Sequence, residues 1–263
     1  MKYENIKKTT VSDRIVYFKS QAKSILSGNG NLLKLIFANI ICISFAVSYV
    51  YLFSVLQGVT GIQGRVFSTL AFFLLLVFVA PSFFGILRMA YLMSEGKRVD
   101  ICDVLYLYGS VKRMLGVYGA FFFEAAYILF FSVLSIVIGW LASFFCGIES
   151  EILPSSSGHS RITLIIILAI FALTTLFMKK LFVLPSVLFR YGGTETSEMI
   201  KKSTRAVSGH GAEIIRFNLS FLVLAIISLL TFGTLFVVYT LPFYTLARMI
   251  YSSYLLDLAE NKN

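Results

Sequence analysis

The sequence predicts an all-α membrane protein: a polytopic bundle of six transmembrane helices with amphipathic helices along its cytoplasmic interface, residues 1–263 forming one integral membrane domain. Three observations predict it. Of 263 residues, 58% are hydrophobic and 14% charged, against about 45–50% apolar and about 25% charged in a soluble domain. Long apolar blocks recur at the length a bilayer demands. And 21 of the 23 Lys and Arg fall on one side of the topology those blocks imply. A chain of this size cannot hide so much apolar surface from water, so a soluble enzyme, a secreted disulfide scaffold and a disordered regulator all fit poorly.

Residues 1–34 come first and are basic, with an amphipathic helix expected over 12–26. Val11, Ile15, Phe18, Ala22 and Ile25 recur at steps of four and three residues, with Arg14, Ser20, Gln21 and Ser24 elsewhere around the helix. Such a basic stripe suits the interface and its anionic head groups. Ser27-Gly28-Asn29-Gly30 then ends the segment, since glycine allows a sharp change of direction at a helix C-terminus. No cleavable signal peptide is read at the start, because the first apolar run lacks a small-residue cleavage site.

A bilayer core of about 30 Å needs roughly 20 helical residues. Blocks 35–56, 66–93, 115–146 and 162–189 each meet that length. The last block, 214–256, is too long for one span and is divided at Thr231-Phe232-Gly233-Thr234 into 214–230 and 235–256. Between spans two and three lies a second amphipathic segment, 100–114, with Asp100 as its N-cap and Ile101, Val104, Tyr108 and Val111 on one face. A third, weaker one runs over 195–207, with Ile200, Ser203 and Val207 on one side. Arg65 and Arg161 are the only Lys or Arg in the outer loops. By the positive-inside rule both termini are cytoplasmic, and the division of the last block is what returns the C-terminus to that side.

The hairpins echo one another. Pro81 precedes Arg88, Pro185 precedes Arg190 and Pro242 precedes Arg248, while Arg88-Met89-Ala90-Tyr91 resembles Arg248-Met249-Ile250-Tyr251. Three copies of one unit are read here: interfacial helix, span, short outer turn, and a span with proline in its cytoplasmic part. Either a simple duplication that builds a bundle or a transporter-type repeat accounts for them.

The residues from Ala22-Lys23 to Ser27-Gly28, Pro185 with Tyr191, Lys202-Ser203 through Ser208-Gly209-His210-Gly211, Thr231-Phe232-Gly233, and Leu241-Pro242-Phe243 with Tyr251 form an ordered series. In that order the chain resembles the bacterial integral-membrane family known as domain of unknown function 975. The resemblance implies a protein of the bacterial cytoplasmic membrane and supplies no activity and no catalytic residues.

No catalytic, cofactor or metal site is expected. Ser155-Ser156-Ser157-Gly158-His159 lies in an outer loop without an oriented base, and Gly192-Gly193-Thr194 lacks the spacing of a phosphate loop. The two histidines fall on opposite sides of the membrane. Cys42, Cys102 and Cys146 have no paired spacing and read as free thiols. The candidate intramembrane polar site is Glu124, Asn39, Asn218 and Lys179. Glu124 stands in the third block without a charged neighbour, and a carboxylate at such depth faces the bundle interior. It is either an ion or proton site or a structural hydrogen-bond partner. Lys179 reads as snorkelling, and Asn39 and Asn218 as interhelical hydrogen bonds. The expected partner is the bilayer, with anionic head groups at the basic helices; nucleic acid is not expected, because the positive charges lie between membrane spans. A non-enzymatic bundle follows, either transporter-like or an envelope-stress accessory, or else a scaffold holding lipid or a membrane complex.

Overall fold

The computed structural model describes residues 6, 9–57, 81–120, 122, 126, 182–192, 196–231 and 233–261. Among these, 86% are helical and none lies in a strand. Helix α1, Val11–Ser27, starts at Thr10, whose hydroxyl accepts from the Asp13 amide at 3.3 Å. It buries Ile15, Phe18, Ala22 and Leu26. The expected stripe is therefore present, with Leu26 taking the place given to Ile25. What covers it is protein: Phe18 packs against the rings of Tyr251 and Tyr254, at 5.0 and 5.2 Å between centroids. Asn29 (φ 50°) and Gly30 (φ 66°) then adopt left-handed backbone, and α1 meets α2, Asn31–Gln57, at 89°. The Asn31 amide holds this corner by donating to the Ile25 carbonyl at 2.9 Å. With 27 residues, α2 is about 40 Å long at 1.5 Å per residue.

Helix α3 is described over residues 81–94. Asp100 caps the next element as expected, through a reciprocal capping box with Asp103. That element is not the α-helix expected over 100–114. It is a 3-10 helix, Ile101–Gly109, ending at the extended Ser110, after which α4 spans 111–120. The physical reason lies in the spacing. Ile101, Val104 and Leu107 stand three apart, the repeat of a 3-10 helix, and Val104 and Leu107 are buried. The 3-10 helix also approaches α3 backbone to side: a Cβ at Gly85 would sit 2.1 Å from the Val104 carbonyl oxygen.

Helix α5, Leu184–Tyr191, carries Pro185 in its first turn and ends at Gly192. Helix α6, Thr196–Val207, buries Met199, Ser203, Ala206 and Val207 and turns out through Gly209 at φ 83°. The fifth predicted span is present as one span-length stretch, Gly211–Ser228, with a single turn interrupting its helix. Helix α7, Gly211–Leu219, stops at Ser220, whose amide folds back on Arg216 and Phe217, and α8 resumes at Leu222–Leu230. The predicted turn is there, with Gly233 at φ 78°. The chain returns through a π-helical turn, Phe236–Thr240, into α9, Leu241–Glu260. Pro242 cannot donate a ladder bond, and the wide turn ends just before it. Across this hairpin the Ser228 and Thr240 hydroxyls bond at 2.7 Å.

Helix α9 is the hub. It packs on α1, α2, α5 and α6, and Tyr251 is ringed by Phe18, Phe217 and Phe182 at 5.0, 5.1 and 5.7 Å. By length and composition one described stretch, Gly211–Ser228, can cross a bilayer, and a second can if Val11–Ser27 and Asn31–Ser44 form one broken span. Residues 66–80, 127–146 and 162–181 of the predicted spans lie outside the described residues.

Candidate functional site

Of the four predicted polar residues, Glu124 and Lys179 lie outside the described residues. Asn218, on α7, accepts a hydrogen bond from the Tyr244 hydroxyl at 3.2 Å, bridging the last hairpin. Asn39 is 2% exposed on α2, and its Nδ2 has no hydrogen-bond partner among the described residues. No hydrogen bond joins the two amides among the described residues. Arg88 pairs with Asp103 at 3.2 Å.

Sequence reasoning missed a buried polar knot that joins the two ends of the chain. Glu213 is 7% exposed in the first turn of α7. The Arg14 guanidinium of α1 lies 3.1 Å from Oε1, close but not aligned as a hydrogen bond. Nδ1 of His210, the residue before α7, lies 2.8 Å from Oε2. Tyr251 and Tyr254 of α9 complete the knot: Arg14 reaches the Tyr254 hydroxyl at 3.5 Å, and the Tyr251 hydroxyl is buried beside Glu213. A carboxylate at a helix N-terminus also suits the helix dipole. Nearby, Lys19 donates to the Ser220 carbonyl at 2.7 Å and lies over the Phe221 ring at 4.2 Å; burial pulls its pKa below the usual lysine value. The one local signal for this knot is His210 three residues before Glu213, at the mouth of an apolar run.

A second ionic clamp closes the other flank. Arg190 of α5 donates to Asp257 at 2.6 Å and to Glu260 at 2.8 Å, and the Tyr191 hydroxyl donates to Glu260. Burial, then the Glu260 carboxylate, push Tyr191 up to about 12. Ser186 and Ser252 bond beneath this clamp.

Between α3, the 3-10 helix, α4 and α5 opens a cleft of about 860 Å³. Arg88, Lys97, Lys112, Arg113 and Arg190 line it, and no acidic residue stands among its described lining residues. Tyr106 lies between two guanidiniums, Arg88 at 3.3 Å and Arg113 at 3.9 Å from its ring centre. A second cavity, of about 780 Å³, lies beside the α1–α2 corner, where Lys34 and Arg98 face Asp100 and Asp103. Neither cavity is lined by Asn39 or Asn218.

The chain matches no family model, no curated protein and no solved structure.

Proposed function

We propose that the chain is a multi-pass, non-enzymatic protein of a bacterial plasma membrane that holds anionic lipid, or a membrane complex, at its cytoplasmic face. It is a scaffold rather than a carrier, with six spans and both termini inside. The resemblance to the domain of unknown function 975 family belongs to this proposal. The observation that carries it is the inverted polarity of the last hairpin. The apolar limb exposes Leu222, Val223, Ile226, Ile227 and Leu230, while the limb rich in hydroxyls, α9, is buried. Only 28% of the window Gly211–Ser228 is buried. Exposing that face to water would cost about 25 cal/mol per Å²; exposing it to lipid costs nothing comparable. Packing by small and hydroxyl side chains, as in Ser186 with Ser252 and Ser228 with Thr240, is the glue helices use in a bilayer.

A carrier is the second reading, favoured by the buried Asn39 amide without a partner among the described residues. It would need a polar path linking Asn39 to Glu124 and Lys179. Reporter fusions test the topology. Fusions at Gly58, Gly147 and Gly233 are expected to read external and a fusion after Asn263 internal. An external C-terminus overturns the six-span reading.

A further inference from the structure

The cleft between α3, the 3-10 helix, α4 and α5 is built against the interests of the helix that forms its wall. Lys112 and Arg113 stand in the first turn of α4, where cations oppose the helix dipole and acids are favoured. No acid among the described lining residues answers them. Arg88 is paired with Asp103 and Arg190 with Asp257 and Glu260, but Lys97, Lys112 and Arg113 have no ion-pair partner among the described residues. Three cations without an ion-pair partner among the described residues thus line one cavity at the start of α4, an arrangement that suits an anion. Local rules are broken in this way at binding sites.

The walls are also apolar. Leu92, Leu107, Leu115 and Leu188 line the cleft beside the cations. On the topology proposed above, it lies where the cytoplasmic ends of spans 66–93, 115–146 and 162–189 meet, at the depth of lipid head groups. A cavity of about 860 Å³ is within the range of about 300–1,000 Å³ typical of small-ligand sites. We infer that this cleft is a binding site for a phosphate group carried by an anionic phospholipid. Arg113, Lys112 and Lys97 hold the phosphate oxygens, and Tyr106 keeps the Arg113 guanidinium in plane by stacking. The leucines receive the start of the acyl chains. This inference rests on the membrane reading, since only then does the cleft open on lipid.

The test uses the full-length chain in nanodiscs of phosphatidylcholine with a minority of phosphatidylglycerol, and counts by native mass spectrometry the phosphatidylglycerol retained on extraction. The double substitution Lys112→Gln, Arg113→Gln is expected to lower retention by at least about tenfold, given about 1 kcal/mol per basic residue at a membrane surface. Its thermal stability should not fall, because it removes cations from a helix start. Lys97→Gln, on the opposite wall, gives the same direction should the pair disturb α4. Lys201→Gln with Arg205→Gln on α6 removes equal charge away from the cleft and should leave retention unchanged. Equal loss from that control overturns the cleft in favour of diffuse attraction. Full displacement of the lipid by soluble glycerol phosphate at millimolar concentration overturns the lipid as source. Undiminished retention in both cleft variants overturns the site itself. None of these depends on the fusion reporters: an external C-terminus with intact, cleft-dependent retention would sink the six-span reading alone.

Discussion

The two limbs of the last hairpin run opposite to the rule of soluble proteins. Helix α8 contains one polar residue, Ser228, and that one is buried while Leu222, Val223, Ile226, Ile227 and Leu230 around it are exposed. Helix α9 carries Thr245, Ser252, Ser253, Tyr251 and Tyr254, and all five are buried. The difference teaches that burial here follows packing, joined at Ser252 and Tyr254 by hydrogen bonds, rather than aversion to water. Aromatic rings, hydroxyls and one ion pair gather α1, α6, α7 and α9 into a core at one end. The most apolar limb is left exposed.

The largest expected effect tests the buried side of that contrast. Phe18→Ala should cost about 3–5 kcal/mol, as for a large aromatic deleted from a packed core, and should expose α1 to protease. Ile226→Ala, on the exposed face of α8, should change stability by less than about 0.5 kcal/mol. Thermal unfolding in one detergent compares the two, and equal losses would break the contrast.

Glu213 comes close behind. Glu213→Leu leaves the Arg14 guanidinium buried without its carboxylate, an arrangement worth about 3–5 kcal/mol in other proteins. Adding Arg14→Met should recover a large part, because the pair is then replaced by apolar groups. A double-mutant cycle by chemical denaturation measures it. Strictly additive losses would show that the pair does not hold α1 to the hairpin.

A smaller effect is expected at Gly85. Its missing Cβ admits the Val104 carbonyl, so Gly85→Ala must push two backbones apart, at about 1–3 kcal/mol. Unfolding curves of Gly85→Ala and of Gly109→Ala, where a Cβ meets nothing within 4 Å, separate close approach from a general glycine effect.

Local features were legible in the sequence. The Gly28–Gly30 corner, the Asp100 cap, the Gly209 exit and the Gly233 turn all rest on residues whose backbone or side-chain chemistry acts within a few positions. The 3-10 helix was misread as α because both patterns place apolar residues at i and i+3, and the i+4 partners Tyr108 and Val111 fitted the longer period equally well. The break at Ser220 left no proline or glycine to announce it. The Arg14–Glu213 knot was out of reach for a different reason: its members come from opposite ends of the chain, and pairing between them is decided by how α9 gathers its neighbours. The basic cleft was half legible. Its cations were assigned to the cytoplasmic side, but their convergence around Tyr106 depends on the 3-10 helix and the start of α4.

The central claim is that the exposed face of α8 looks into lipid while α9 looks into protein. Nitroxide spin labels on Val223→Cys, Ile226→Cys and Met249→Cys, in a background without the native cysteines and reconstituted in lipid, test it directly. The account predicts that labels at 223 and 226 collide freely with oxygen and hardly with a water-soluble nickel chelate, and that the label at 249 meets neither. Ready collision of the 223 and 226 labels with the nickel chelate, or protection of both from oxygen, would contradict it.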